Sequence, residues 1–197
     1  MIILGIDPGS RKMGYGVVEV IGPRHRLIDY GTYRLPSSAE HVFRLKLIFD
    51  RVTELLVETK PDECAVEMPV YGENPQSMLK LGRAQAAAIL ASIQRQVPVT
   101  EYTPKEVKKA VTGKGNAAKE QVAYMVKSML SFSEDRGDDA TDALAVALCH
   151  AHRFNNPAAP SKHKNWADFI DANPNRVAGN RTAGGKRTVR HPKGSGR

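Results

Sequence analysis

Cysteine and long apolar runs are what this sequence has least of. Its 197 residues include only two cysteines, Cys64 and Cys149, which argues against a disulfide scaffold and against a thiolate zinc site. No window approaches ~18 consecutive apolar residues, so the sequence predicts no membrane span. The start, MIILGIDPGS, has neither a basic region nor a small-residue cleavage site. We therefore expect a cytoplasmic protein.

Acidic residues are scarce in one part of the chain only. The formal net charge is +8, yet basic and acidic residues balance over residues 1–150. Residues 151–197 carry ten Lys and Arg against Asp168 and Asp171, together with many prolines and glycines. A segment of this composition buries too little apolar surface to offset the entropy lost when the chain becomes ordered. We predict a folded domain over residues 1–153 and a basic, mostly disordered extension over residues 154–197.

Apolar periodicity divides the folded part into five strands and five helices. The strands are predicted at residues 1–7, 14–21, 27–35, 64–67 and 97–102. The helices are predicted to start at the caps Ser38, Asn74, Thr103 and Asn116, with the last helix at residues 138–150. The order βββαβαβααα predicts an α/β fold. Its centre is a five-stranded mixed sheet, antiparallel hairpins first and parallel strands later, with helices on both faces.

Four carboxylates are attached to otherwise apolar elements. Asp7 ends the first strand, Glu67 ends the fourth, and Asp139 and Asp142 belong to the last helix. The i, i+3 spacing places the two aspartates on one helical face. Carboxylates about 4 Å apart repel by about 4 kcal/mol at an effective dielectric near 20, so a cluster of four requires protons or cations.

Oxygen ligands without His or Cys select Mg²⁺ or Mn²⁺ over zinc. Two such ions support phosphodiester hydrolysis by activating a water and stabilising the leaving oxygen. Each acid alone also has an ordinary structural explanation. Asp7 can start an Asx-turn, and Glu67 can pair with a basic side chain. Asp138 and Asp139 can favour a helix N-terminus.

Four segments resemble the signature motifs of the RuvC family, the bacterial Holliday junction resolvases. They are GIDPGSRKMGYGVV (5–18), AVEMPVYGENPQSMLKLG (65–82), VKKAVTGKGNAAKEQV (107–122) and DDATDALAVALCH (138–150). The resemblance covers essentially all of residues 1–150. It implies an RNase H-like fold, a homodimer, and Mg²⁺-dependent paired nicking of two like-polarity strands at a four-way DNA junction. It further implies hydrolysis by metal-activated water, leaving a 5′-phosphate and a 3′-hydroxyl.

Carried over residue by residue, the resemblance assigns the metal-binding carboxylates to Asp7, Glu67, Asp139 and Asp142, which would hold two ions. Asp138 is an additional acid beside the matched pair, and it offers an alternative i, i+4 register with Asp142. The resemblance implies that Lys108 and Lys119 contact the DNA backbone near the scissile phosphate. It places Lys119 close enough to assist the chemistry.

Three further residues are DNA-binding candidates. Lys114 lies in the glycine-rich turn before the fourth helix, where a solvated basic surface explains it equally well. Family members often place an aromatic residue three positions after the glutamate, for stacking on an unpaired base. Here that position is Val70, and Tyr71 follows it. Tyr71 either takes over the stacking or packs in a turn.

The predicted partners follow from the symmetry of the substrate and from the resemblance. A junction presents two equivalent strands about a two-fold axis, which a homodimer matches. The small residues of the helix over 74–94 suit a close subunit contact, or ordinary packing on the sheet. The resemblance suggests the branch-migration proteins RuvA and RuvB as further partners. We also predict that residues 154–197 tether the protein to DNA without sequence specificity.

Two other functions compete with the nuclease. An ATP-binding protein of the actin-like or sugar-kinase group also has a phosphate-binding hairpin resembling GIDPGS, but that architecture needs two such domains. A DNA-binding scaffold without catalysis would not need the acidic set. Magnesium-dependent cleavage of a synthetic junction separates the three functions.

Overall fold

A five-stranded mixed sheet forms the centre of the computed structural model, which describes residues 1–69, 74–134 and 136–155. The strands are β1 (Ile2–Asp7), β2 (Lys12–Ile21), β3 (Arg24–Arg34), β4 (Glu63–Glu67) and β5 (Val99–Tyr102). Their spatial order is β3-β2-β1-β4-β5. β2 is antiparallel to β1 and to β3, whereas β4 is parallel to β1 and to β5. The predicted sheet is confirmed, and β1, β4 and β5 end at the same edge.

Five helices cover the two faces of this sheet. They are α1 (His41–Thr59), α2 (Pro75–Gln94), α3 (Pro104–Thr112), α4 (Lys119–Leu130) and α5 (Asp138–Asn155). Helices α1 and α2 pack with Leu4 and Ile6 on one face, whereas α3, α4 and α5 pack with Ile3 and Val18 on the other. Successive residues of a strand point to opposite faces of the sheet. The central strands therefore contribute side chains to both cores.

The helix starts agree with the sequence predictions in part. Asn74 caps α2, accepting hydrogen bonds from the backbone of Gln76 and Ser77. The cap predicted at Ser38 is wrong, because this residue lies in a turn closed by Ala39 N–H to Pro36 O and α1 starts after Glu40.

The fourth and fifth helices also differ from their predicted bounds. Asn116 does not cap α4. It lies in the turn closed by Ala117 N–H to Lys114 O, and the N-cap is Ala118. Helix α5 continues past the predicted residue 150 to Asn155.

Two other expectations concern the core and the membrane. Cys64 and Cys149 are buried and form no disulfide. Among the described residues, no helix is long and apolar enough to cross a bilayer.

Candidate active site

Two parallel strands bring the first two carboxylates to one edge of the sheet. Ile6 of β1 pairs with Val66 of β4, so the next residues, Asp7 and Glu67, leave the sheet side by side. Glu67 also pairs with Tyr102 at the end of β5, and Met68 N–H donates to the carbonyl of Tyr102 at 2.8 Å. These backbone contacts fix the end of β4 that carries Glu67.

Helix α5 reaches this edge because glycines leave room for its backbone. Gly14 pairs with Asp7, and a Cβ atom at Gly14 would lie 1.8 Å from the carbonyl oxygen of Asp139. A Cβ atom at Gly5 would lie 2.2 Å from the carbonyl oxygen of Ala143. No larger residue fits these two positions, and the close approach sets the first turn of α5 beside Asp7.

No role was predicted for these glycines from the sequence. Glycine inside a strand pattern is itself the signal of a close backbone approach, and Gly5, Gly14 and Gly16 all lie within β1 and β2.

One cleft contains all four predicted carboxylates. Its walls come from the loop after β1, the loop after β4, the first half of α2, and the starts of α3 and α5. The lining residues are Asp7, Pro8, Gly9, Glu67, Met68, Pro69, Leu81, Pro104, Asp139 and Asp142. Asp138 is not among them. Its side chain is 78% exposed and borders a separate groove with Tyr124 and Lys127, so the structure places Asp139 rather than Asp138 in the cleft.

Three acids of the cleft, Asp7, Glu67 and Asp142, have pKa values above those of free carboxylates. Burial, then the charges of Asp142 and Asp139, raise the pKa of Asp7 from 3.8 to about 7, while Lys119 opposes the shift. Burial, then Asp7 and Asp142, raise the pKa of Glu67 to about 8. The pKa of Asp142 is also raised, by burial. Desolvation and mutual repulsion therefore leave this cleft short of positive charge.

Two lysines form a basic wall next to the acids. Lys119 Nζ lies 2.9 Å from Asp142 Oδ2 and 3.6 Å from Asp138 Oδ2. Lys108 and Lys119 line a pocket that shares Glu67 and Asp142 with the acidic cleft. Lys108 is carried by α3, whose start is fixed by a capping box.

In that box, Glu106 N–H donates to Thr103 Oγ1 at 3.3 Å, and Thr103 N–H donates to Glu106 Oε2 at 2.9 Å. The cap holds the first turn of α3, and with it Lys108, close to the end of β5.

The acids are not arranged as a finished metal site. Among residues 1–69, 74–134 and 136–155, no three His, Cys, Asp or Glu side chains stand close enough together to hold an ion. The ammonium group of Lys119 lies against Asp142 instead. The chemistry of the donors nevertheless fits a hard divalent cation, because all four candidate ligands are carboxylates and three of them have raised pKa values.

Of the remaining DNA-binding candidates, only Lys114 lies within the described residues, and it does not line the cleft. Lys114 is exposed, and its backbone N–H and carbonyl both bond to Thr112 Oγ1. Val70 and Tyr71 lie outside the described residues. The stacking role considered for Tyr71 stays a prediction.

Comparison with known proteins gives one family. The family model described as "Crossover junction endodeoxyribonuclease RuvC" matches residues 3–150. The protein of that name from Salinibacter ruber is 54% identical over 179 residues, covering 90% of this chain and 99% of the relative. The one from Porphyromonas gingivalis is 48% identical over 182 residues, covering 89% of this chain and 96% of the relative.

Solved structures agree with this result. RuvC of Thermus thermophilus in complex with a Holliday junction substrate is 37% identical, with a TM-score of 0.74 over 79% of this chain and 95% of the other. The yeast mitochondrial Holliday junction resolvase is 12% identical, with a TM-score of 0.57 over 76% of this chain and 78% of the other, and shows a shared fold alone. With the RNase H-like architecture and the family match over residues 3–150, the chain belongs to the RuvC family of crossover junction endodeoxyribonucleases.

Proposed function

We propose that this protein resolves four-way DNA junctions by hydrolysing one phosphodiester bond in each of two strands of like polarity. The observation that carries the proposal is the cleft in which Asp7, Glu67, Asp139 and Asp142 meet beside Lys108 and Lys119. The family match names a nuclease, and the Thermus relative was solved with a Holliday junction substrate. Recombination and DNA repair are the processes that need this reaction.

In this proposal the four carboxylates hold two Mg²⁺ ions, for which Mn²⁺ can substitute. Bound ions of this kind lower the pKa of a water molecule and stabilise the leaving oxygen of an in-line displacement. The side chains of Asp7, Glu67, Asp139 and Asp142 supply the negative charge that holds the cations, and they must lose their protons to do so.

Lys119 and Lys108 contribute positive charge on the DNA side of the cleft. Lys119 neutralises Asp142 in the structure, at 2.9 Å. Once cations balance the carboxylates, its ammonium group is available to a phosphate oxygen of the scissile strand. Lys108, half-buried in the same wall, binds a neighbouring phosphate.

We further propose that the active protein is a homodimer formed through α2. The small residues Ala84, Ala88 and Ala91 face the interior of their own chain, so they do not make a subunit contact. The outward face instead carries Leu90 and Ile93, which are 59% and 57% exposed. Two copies of this apolar face, related by a two-fold axis, match the symmetry of a junction. RuvA and RuvB are the proposed partners in branch migration.

The test is cleavage of a synthetic four-way junction compared with a linear duplex of the same sequence, each with and without Mg²⁺. We expect cuts in two opposed strands of the junction only, and only with the metal present. Equal cleavage of both substrates, or metal-independent cleavage of the junction, would contradict the proposal.

A further inference from the structure

A second group of basic residues borders the cleft on the other face of the sheet from Lys108 and Lys119. Arg44 belongs to the first turn of α1, and Lys80 and Arg83 belong to the first half of α2. We refer to Arg44, Lys80 and Arg83, together with His41, as the α1–α2 basic cluster. It packs in the layer opposite α3 and α4.

One hydrogen bond and one neighbouring residue place this cluster at the rim of the cleft. Arg44 donates to the carbonyl oxygen of Ser10 at 3.2 Å, and Ser10 directly follows the cleft residue Gly9. Leu81, which also lines the cleft, directly follows Lys80. The first turn of α1 is therefore tied to the loop that starts at Asp7, and the first half of α2 reaches the same cleft.

Lys80 and Arg83 are three residues apart on α2, so they share one face of that helix. Burial, then the charges of Arg83, Lys80 and Arg44, lower the pKa of His41. Neither ring nitrogen of His41 has a hydrogen-bond partner among the described residues.

Among residues 1–69, 74–134 and 136–155, no carboxylate balances the charge of this cluster by direct contact. In the described part of the chain, Lys80, Arg83 and Arg44 make no ion pair with a carboxylate, whereas Lys46 and Arg51 on the same face of the sheet do. Lys80 and Arg83 are exposed to solvent. Like charges gathered at a surface repel one another and attract a polyanion, and DNA is the polyanion that the neighbouring cleft is proposed to receive.

We propose that the α1–α2 basic cluster binds the phosphodiester backbone of junction DNA beside the scissile phosphate, so that the DNA passes between this cluster and the wall formed by Lys108 and Lys119. This inference rests on the proposed function and adds Lys80 and Arg83 as positioning residues. They contact phosphates away from the reacting atoms, so they set the affinity for the substrate and leave the chemical step unchanged.

The test uses Lys80→Gln and Arg83→Gln, with Arg95→Gln as the matched control. Arg95 is the exposed C-cap residue of α2, twelve residues beyond Arg83 and thus about 18 Å along the helix. The change in charge is the same at all three positions. Affinity for a synthetic junction is measured by fluorescence anisotropy over a salt series, and cleavage is measured in single-turnover reactions.

We expect Lys80→Gln and Arg83→Gln each to weaken binding about 3- to 10-fold and to reduce the slope of log K against log salt by about one. The single-turnover rate at saturating protein should stay within about 2-fold of the wild-type rate, and Arg95→Gln should bind as the wild type does. A slope equal to that of Arg95→Gln would overturn the inference. So would weaker binding that follows dissociation into monomers, measured by sedimentation.

The two levels of proposal fail differently. If the unmodified protein neither binds nor cuts junctions, the proposed function itself is wrong. If it does both and the two variants behave as Arg95→Gln does, only the assignment of this cluster is wrong.

Discussion

Asp7 and Glu67 hold protons near neutral pH because burial and neighbouring carboxylates raise their pKa values to about 7 and about 8. A site of this kind is unfavourable in the empty protein and favourable once cations bind, because the same repulsion that raises the pKa values attracts positive charge. The side chains that would carry the reaction are therefore also those that destabilise the metal-free fold.

Replacing Asp7 by Asn removes one proposed metal ligand and one negative charge facing DNA. We expect junction cleavage to fall by at least about 100-fold, with binding equal to or tighter than that of the wild type. Single-turnover cleavage and anisotropy measure the two effects. Asp50→Asn, an exposed position paired with Lys46, is the control and should change neither. Cleavage by Asp7→Asn at the original rate would refute the role of Asp7.

The raised pKa values also determine how stability depends on pH. Between pH 5 and pH 9 the folded, metal-free protein keeps protons on Asp7 and Glu67 that the unfolded chain has released, so these groups make the free energy of unfolding fall as pH rises. One pKa unit corresponds to about 1.4 kcal/mol.

We expect the loss of stability between pH 5 and pH 9 to be about 2–3 kcal/mol smaller in Asp7→Asn than in the wild type, as measured by urea unfolding without divalent ions. Added Mg²⁺ should reduce the loss in the wild type, because cations bind the deprotonated folded state. Identical pH dependence in the two proteins would mean that Asp7 is not buried among charges as described.

At the scale of elements, the site depends on how closely α5 approaches β1 and β2. Strand glycines make this approach possible, and Gly14 is the tightest of them, since an added Cβ would lie 1.8 Å from the carbonyl oxygen of Asp139. Any side chain at Gly14 must therefore push away the turn that carries Asp139 and Asp142.

Gly14→Ala should destabilise the protein by about 1–3 kcal/mol and lower cleavage further than the lost stability explains. Gly82→Ala is the matched control. Gly82 lies inside α2 with nothing within 4 Å of an added Cβ, so alanine should be neutral or stabilise by up to about 1 kcal/mol. Thermal unfolding measures the change in stability, and single-turnover reactions measure cleavage. A Gly14→Ala protein with unchanged stability would contradict the close approach of α5 to β2.

The proposed dimer depends on a single element, helix α2. A glutamate at Leu90 or Ile93 would bring like charges together across a two-fold axis, so we expect monomers in sedimentation experiments and loss of paired cuts. Val57→Glu, at a similarly exposed apolar position on α1, should leave the oligomeric state unchanged. Dimers that survive at both α2 positions would place the interface elsewhere.

At the scale of the whole molecule, the charge is divided between two parts of the chain. Residues 1–150 are balanced, and the excess lies in the C-terminal extension. We propose that this extension holds the protein near DNA without selecting a structure. Because α5 continues to Asn155, a truncation that tests this proposal should remove only the residues after Asn155.

Removing residues 156–197 takes away nine basic side chains and two acidic ones. Binding to junction and to duplex DNA should weaken together, with a shallower salt slope, while the single-turnover rate at saturating protein is kept. A salt slope equal to that of the full-length protein would contradict the proposed tether. Replacing the extension by a neutral Gly/Ser segment of equal length separates the effect of charge from that of length.

Much of the fold follows from local patterns. Alternating and helical periodicities predicted all ten elements in order, because burial of one face acts over a few residues and leaves its mark in the sequence. Where predictions failed, at Ser38 and Asn116, two local structures competed. Each residue lies in a tight turn instead of capping a helix, and side chains that favour caps favour turns as well.

The sequence by itself determined which residue types were available: four carboxylates on apolar elements, two lysines, a basic extension and the motifs of one family. Only the tertiary structure decided that Asp139 rather than Asp138 lines the cleft with Asp7, that Ala84, Ala88 and Ala91 of α2 are buried, and that Arg44 contacts the loop after Asp7. The physical reason is that periodicity records which face of an element is buried. Distances between elements depend on contacts such as Gly14 against Asp139, which join residues far apart in the chain.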